Sequence, residues 1–142
     1  MVYLWSINRG DTMIQANALF QNVPGTDAFH FFKGAGPNCP RVLEVLDFKK
    51  EDVAKAADVP LSSVRYDDKM SAELLERMRE WAVALALVGE FFNDFDKTTL
   101  WFRVPNPLLG GIAPRDMIRV GRFKKLLKFI QTALDQNPPM AA

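Results

Sequence analysis

Apolar positions recur at helical spacing along most of this chain. Leu74, Met78, Trp81, Leu85, Val88, Phe92 and Phe95 follow one another at intervals of three and four, a pattern that keeps one apolar stripe on a single helix face. Ser71 stands where an N-cap is needed, so the spacing predicts a long helix from Ser71 to about Asp94. Upstream, Pro40 opens a helix whose apolar side is Val42, Leu43, Val45 and Leu46, ending near Phe48. Two short helices, Lys50–Ala57 and Leu61–Tyr66, flank Asp58-Val59-Pro60. Downstream, Asp96 or Thr98 caps a helix through Arg103 that presents Leu100, Trp101 and Val104. Pro105-Asn106-Pro107 stops it, because two prolines cannot sit inside a helix. Gly110-Gly111 marks a turn that tolerates positive φ. Pro114 starts another helix and Gly121 stops it. The last helix, Arg122–Asp135, buries Phe123, Leu126, Leu127, Ile130 and Leu134 and leaves Arg122, Lys124, Lys125 and Lys128 wet. Residues 23–39, broken by Pro24-Gly25, Gly34, Gly36 and Pro37, read as loop. A short helix is expected at Thr12–Gln21, packing Ile14, Ala18 and Leu19, and a mobile tail at Met140–Ala142. The class is all-α.

Composition narrows the function more than the fold. With 142 residues, 49% of them hydrophobic, the chain can bury one core, or two helical lobes sharing one. A net charge of +1 argues against a uniformly basic nucleic-acid binder. One cysteine, Cys39, and one histidine, His30, exclude an intramolecular disulfide, a Cys/His zinc cluster and a two-histidine metal pair. Catalysis by a Cys–His couple is disfavoured too, since Gly34, Gly36 and Pro37 break the stretch between the two residues. His30, flanked by Phe29, Phe31 and Phe32, reads as part of an aromatic cluster, and Cys39 as a small packed thiol. No enzyme and no cofactor is expected. The longest apolar run, Trp81–Val88, is far short of a membrane span, and polar residues from Ser6 onward interrupt any signal-peptide core. A cytoplasmic protein is expected, with Met13 as a possible alternative start.

Charge is uneven along the chain. Residues 67–96 carry eight acids and three bases, whereas residues 103–128 carry seven bases and one acid. Either a solvated face or a partner surface fits that split.

Residues 50–66 have the layout of a helix-turn-helix. Ala54 is small where two helices would touch, and Val53, Val59 and Val64 fill the wedge between them. The second helix would then present Ser62, Ser63, Arg65 and Tyr66, with Lys50 nearby, to DNA. Asp58 replaces the usual turn glycine, and Asp67 and Asp68 would repel phosphates. Packing or DNA reading are both open at this point, the latter as a stand-alone transcriptional regulator.

From Trp101 through Pro105-Asn106-Pro107-Leu108-Leu109-Gly110-Gly111-Ile112-Ala113-Pro114 to Gly121, the chain resembles the toxin-binding domain of the Xre/MbcA/ParS-type antitoxins. The resemblance covers roughly residues 40–135. It implies an N-terminal extension at 1–39, an Xre-like helix-turn-helix lobe at 40–70, and a long helix plus C-terminal toxin-binding lobe at 71–142. The implied activity is that of a dimeric antitoxin that occludes an NAD-consuming RES-type toxin and, in some members, represses its own operator DNA. Trp101 and Leu109 match the family's buried anchors. Asn106, Gly110, Gly111 and Pro114 match its signature turn, while Ala113 departs from the Thr or Ser often found before that proline. Candidate toxin contacts are Asn106, Leu108, Gly110, Gly111, Arg115, Arg119, Arg122 and Lys125.

Overall fold

The computed structural model describes residues 27–137, so the expected helix at Thr12–Gln21 and the tail at Met140–Ala142 lie outside the described residues. Among the described residues the fold is all-α apart from a minimal hairpin, β1 (Phe32–Lys33) and β2 (Gly36–Pro37). Six helices follow: α1 (Cys39–Leu46), α2 (Lys50–Ala57), α3 (Ala72–Phe92), α4 (Phe95–Arg103), α5 (Pro114–Arg119) and α6 (Phe123–Gln136).

Helix α3 is the centre. Ser71 caps it as its position predicts, its hydroxyl accepting the Leu74 N–H at 3.1 Å. Asn93, in the left-handed region at φ 52°, ends it. The apolar stripe is buried from Leu74 to Val88, and between Trp81 and Gly89 every residue is buried. A helix enclosed all round must be wrapped on several sides. Here α1, α4, α6 and the hairpin do so, while α5 bridges α2, α4 and α6. One apolar cluster runs from Phe31 to Leu134, so the two halves expected from the sequence share a core.

The hairpin is a structure that the glycines and prolines of 23–39 concealed. The Asp27 carboxylate accepts the Phe31 and Phe32 N–H groups at 3.0 and 2.8 Å, and the register pairs Phe32 with Pro37 and Lys33 with Gly36. The strap drives Phe31 into the core beside Gly89, where an added Cβ would stand 3.1 Å from the Phe29 ring and 3.3 Å from that of Phe31. Phe29 meets Phe31 and Phe95 edge to face, whereas His30 turns outward at φ 58° and stays exposed. Cys39 is buried, and burial pushes its thiol pKa up, which favours the unreactive protonated form.

Two local expectations are corrected. Helix α4 is capped by Asp94, whose carboxylate accepts the Lys97 N–H at 2.9 Å, rather than by Asp96 or Thr98. Thr98 instead goes inside, because its hydroxyl bonds back to the Asp94 carbonyl at 2.8 Å and so carries no unpaired polar group into the core. The second correction concerns Leu61–Tyr66, which is a single 3-10 turn, Leu61–Ser63, followed by extended backbone at Val64. A six-residue segment holding two serines has little to nucleate a helix with, and Val64, buried at 3% exposure, reaches the core in the extended conformation. The turn itself holds as expected: Asp58 adopts the left-handed region at φ 57° and closes α2. Val53, Ala54 and Val64 fill the wedge without a second helix.

Candidate functional site

Asn106 organises the segment between α4 and α5. Its side-chain oxygen accepts the Leu108 N–H at 2.9 Å, and its carbonyl accepts those of Leu109 and Gly111 at 2.9 and 3.0 Å. Its own N–H donates to the Ile112 carbonyl at 3.1 Å. These four bonds close residues 107–111 into a knuckle containing the 3-10 turn Pro107–Leu109. Gly110 and Gly111 complete it at φ 82° and 84°, with open space where a Cβ would stand. Glycine is needed there for the backbone conformation and not for clearance. Asn106 is therefore a positioning residue, and the side chain the knuckle holds outward is Leu108, 61% exposed.

The helix before the knuckle presents more apolar surface. Thr98 and Phe102, one turn apart, face the core, which turns Leu100 outward at 61% exposure and Val104 at 44%. Of the three residues the sequence has this helix present, Leu100 and Val104 are exposed and Trp101 is half-buried. Trp101 and Leu109 are half-buried rather than full anchors; Phe102 takes the enclosed place, meeting Trp101 edge to face at 5.0 Å. Leu100, Val104 and Leu108 are three of the six large hydrophobic residues most exposed among the described residues, and they fall within nine positions of sequence.

The basic candidates divide into two groups. Arg115 donates to the Leu46 carbonyl at 3.1 Å and lies 3.4 Å from Asp47; Arg119 pairs with Asp52 at 3.4 Å and with Asp116. Both spend their charge joining α5 to α1 and α2. Arg122 and Lys125 are exposed at the start of α6, beside a groove also lined by Arg77, Glu80 and Lys124.

The helix-turn-helix candidates are not gathered on a recognition helix. Lys50 begins α2, Ser62 and Ser63 lie on the 3-10 turn, and Arg65 and Tyr66 follow in irregular backbone, all exposed. Arg65 is bonded to both oxygens of Asp67, at 2.8 and 2.7 Å. That contact holds the Arg65 pKa up and, together with the Lys69 N–H, the Asp67 pKa down. A guanidinium so engaged must break its own pair before meeting a phosphate.

One pattern the sequence did not signal is how α1 ends. The Leu43 carbonyl accepts the Asp47 and Phe48 N–H groups, Glu44 and Val45 accept Arg103 at 2.6 and 2.9 Å, and Leu46 accepts Arg115. All four carbonyls that a helix leaves without intrahelical partners are thereby satisfied. Arg103 and Arg115 come from α4 and α5, so this contact fixes both ends of the knuckle segment to α1. Arg65→Asp67-type local pairs are visible from neighbouring residues; contacts spanning 58 and more positions are not.

Among the described residues, no group of three or more His, Cys, Asp or Glu side chains is placed to hold a metal, and no helix is long and apolar enough to cross a membrane. No family model matches the sequence. No curated protein matches it either. Among solved structures, the chain is similar to one chain of the crystal structure of the M. tuberculosis MbcT-MbcA toxin-antitoxin complex, with 22% identity and a TM-score of 0.43, over 68% of this chain and 89% of that one.

Proposed function

We propose that this protein is an antitoxin that inhibits by binding a protein toxin, and that the toxin is of the NAD-consuming RES type. The observation that carries the reading is the braced apolar edge: Leu108 on its knuckle and Leu100 one helix away, each 61% exposed, with Val104 between them in sequence. A folded protein gains nothing internally from holding two leucines largely in water; covering them with a partner gives about 1–2 kcal/mol each at that exposure. The resemblance of Trp101–Gly121 to the antitoxin signature supplies the partner class, and the solitary His30 and Cys39 favour blocking chemistry over performing it. The same reading includes a cytoplasmic protein that dimerises. Operator binding, as part of that reading, would use a surface other than residues 61–66, so Arg65→Ala should not weaken it.

The test is whether the adjacent gene encodes a RES-domain protein and, with that protein, co-expression followed by size exclusion of the pair. Wild type is expected to restore growth and co-elute. Leu100→Asp/Leu108→Asp should weaken the complex at least tenfold while leaving the melting temperature unchanged, because neither side chain is enclosed. Failure of wild type to bind, or parental affinity in the double variant, rejects the reading.

A further inference from the structure

A groove of about 510 Å³ opens between α2, α3 and the start of α6. Its lining combines two chemistries. Ala56, Trp81 and Phe123 form an apolar floor, and Arg77, Arg122, Lys124 and Lys125 supply four positive charges above it. One carboxylate, Glu80, also lines the groove, and it stands 3.3 Å from Arg77. Lys124 also acts on Glu80, so the groove sets four cations against one carboxylate, with Arg122, Lys124 and Lys125 all exposed on one concavity.

The position of these charges is unfavourable for the helix that carries them. Arg122 is the N-cap of α6 and Lys124 and Lys125 lie in its first turn, where acidic residues are favoured and none is present. No side chain caps that turn. Gly121, at φ 83°, forms the lip with open space where a Cβ would stand, so the backbone approach is unobstructed. Three cations crowded at the positive end of a helix repel one another and the helix dipole; an anion in the groove reverses both effects at once. The volume lies within the range of small-molecule sites.

We propose that this groove binds a small phosphorylated ligand of nucleotide size, its phosphate groups held by Arg122, Lys124 and Lys125 and its less polar part lying over Ala56 and Phe123. The inference does not rest on the apolar edge that carries the toxin reading, although it reassigns Arg122 and Lys125, which the sequence also offered as toxin contacts, to a phosphorylated ligand.

The full chain is titrated with inorganic pyrophosphate and with adenosine diphosphate at low ionic strength, following heat by calorimetry and thermal stability in parallel. Both ligands are expected to bind and to raise the melting temperature beyond sodium chloride of equal ionic strength, the nucleotide more tightly because it also covers the floor. Arg122→Ala/Lys124→Ala/Lys125→Ala should weaken both at least tenfold and, with the crowding relieved, melt no lower than the parent. Lys128→Ala, one turn further along α6, should bind as wild type. The proposal is overturned if neither ligand binds better than chloride, or if the triple variant keeps parental affinity. It is also overturned if a 12-base-pair DNA duplex or anionic vesicles bind the groove more than a hundredfold tighter than the nucleotide, since the phosphate source is then a polymer or a lipid surface.

Discussion

Removing Arg103 tests whether α1 depends on the helices that arrive later in the chain. Its guanidinium donates to the Glu44 carbonyl at 2.6 Å and to the Val45 carbonyl at 2.9 Å. Hydrogen bonds to a charged group are worth about 1.5–3 kcal/mol when water is excluded. The Val45 bond lies in a partly buried setting and is assigned about 1.5 kcal/mol; the Glu44 bond is exposed, so water replaces most of it and about 0.5 kcal/mol is assigned. Arg103→Ala should therefore cost about 2 kcal/mol, a fall of roughly 7 °C in melting temperature for a chain of this size. Arg103→Met keeps most of the alkyl stem without a donor and separates packing from hydrogen bonding. Urea unfolding of the three proteins, with unchanged slope, is the measurement. Arg103→Met is expected to show most of the loss. Stability within about 0.5 kcal/mol of the parent for Arg103→Met would refute the assignment, because the carbonyls would then be satisfied equally well by water.

Two further outcomes follow from the core and from the groove. Gly89→Ala gains about 1 kcal/mol of helix propensity, but the new methyl must displace the rings of Phe29 and Phe31, and overpacking costs about 1–3 kcal/mol. Phe31 is fully buried, and although a cavity of about 60 Å³ lies beside Phe29, Phe31 and Gly89, both rings must shift to admit the methyl, so a net loss of about 1 kcal/mol in urea unfolding is expected, and a more stable variant would show that the strap moves freely. At Glu80, burial pushes the carboxyl pKa up and Glu76 adds to the effect, while Arg77 and Lys124 oppose it. The folded state then holds that proton more tightly than the unfolded chain, so the Glu80 contribution favours folding at low pH and is lost as pH rises from the ordinary carboxylate range through the raised value. Glu80→Gln should flatten that part of the stability profile, from the ordinary carboxylate range upward, and an unchanged difference curve would sink the assignment. Asp67 shifts in the opposite direction but is common to both proteins and cancels in the comparison.

Caps and breakers were the legible part of the chain. Ser71, Pro114, Gly110-Gly111 and Gly121 each act through their own backbone, and each lies where its chemistry requires. Less legible was anything decided by a partner distant in sequence. Thr98 reads as a polar cap until its hydroxyl is seen to bond its own helix, and that bond lets it sit in the core. Arg115 and Arg119 read as a basic face until Asp47, Asp52 and the end of α1 are brought to them. The segment 61–66 failed for a related reason: its spacing suits a helix, but burial of Val64 and the Arg65–Asp67 pair are both available to a shorter, extended path. In the candidate site, Asn106 and the glycines were legible as a turn and Leu108 as a candidate contact, and Leu100 and Val104 as residues their helix presents, whereas the enclosed place of Phe102 required the packed helix.

The closure of α1 by Arg103 and Arg115 also has a temporal side. Those residues are made 58 to 69 positions after the carbonyls they satisfy, so a growing chain that has reached only the end of α3 carries an α1 whose last turn is held by water. Completion of the first helix among the described residues waits for nearly the last ones. In the transition state for folding, substitutions at the end of α1 should thus behave like those in α4 and α5, with low φ-values, while the buried middle of α3 forms ahead of them.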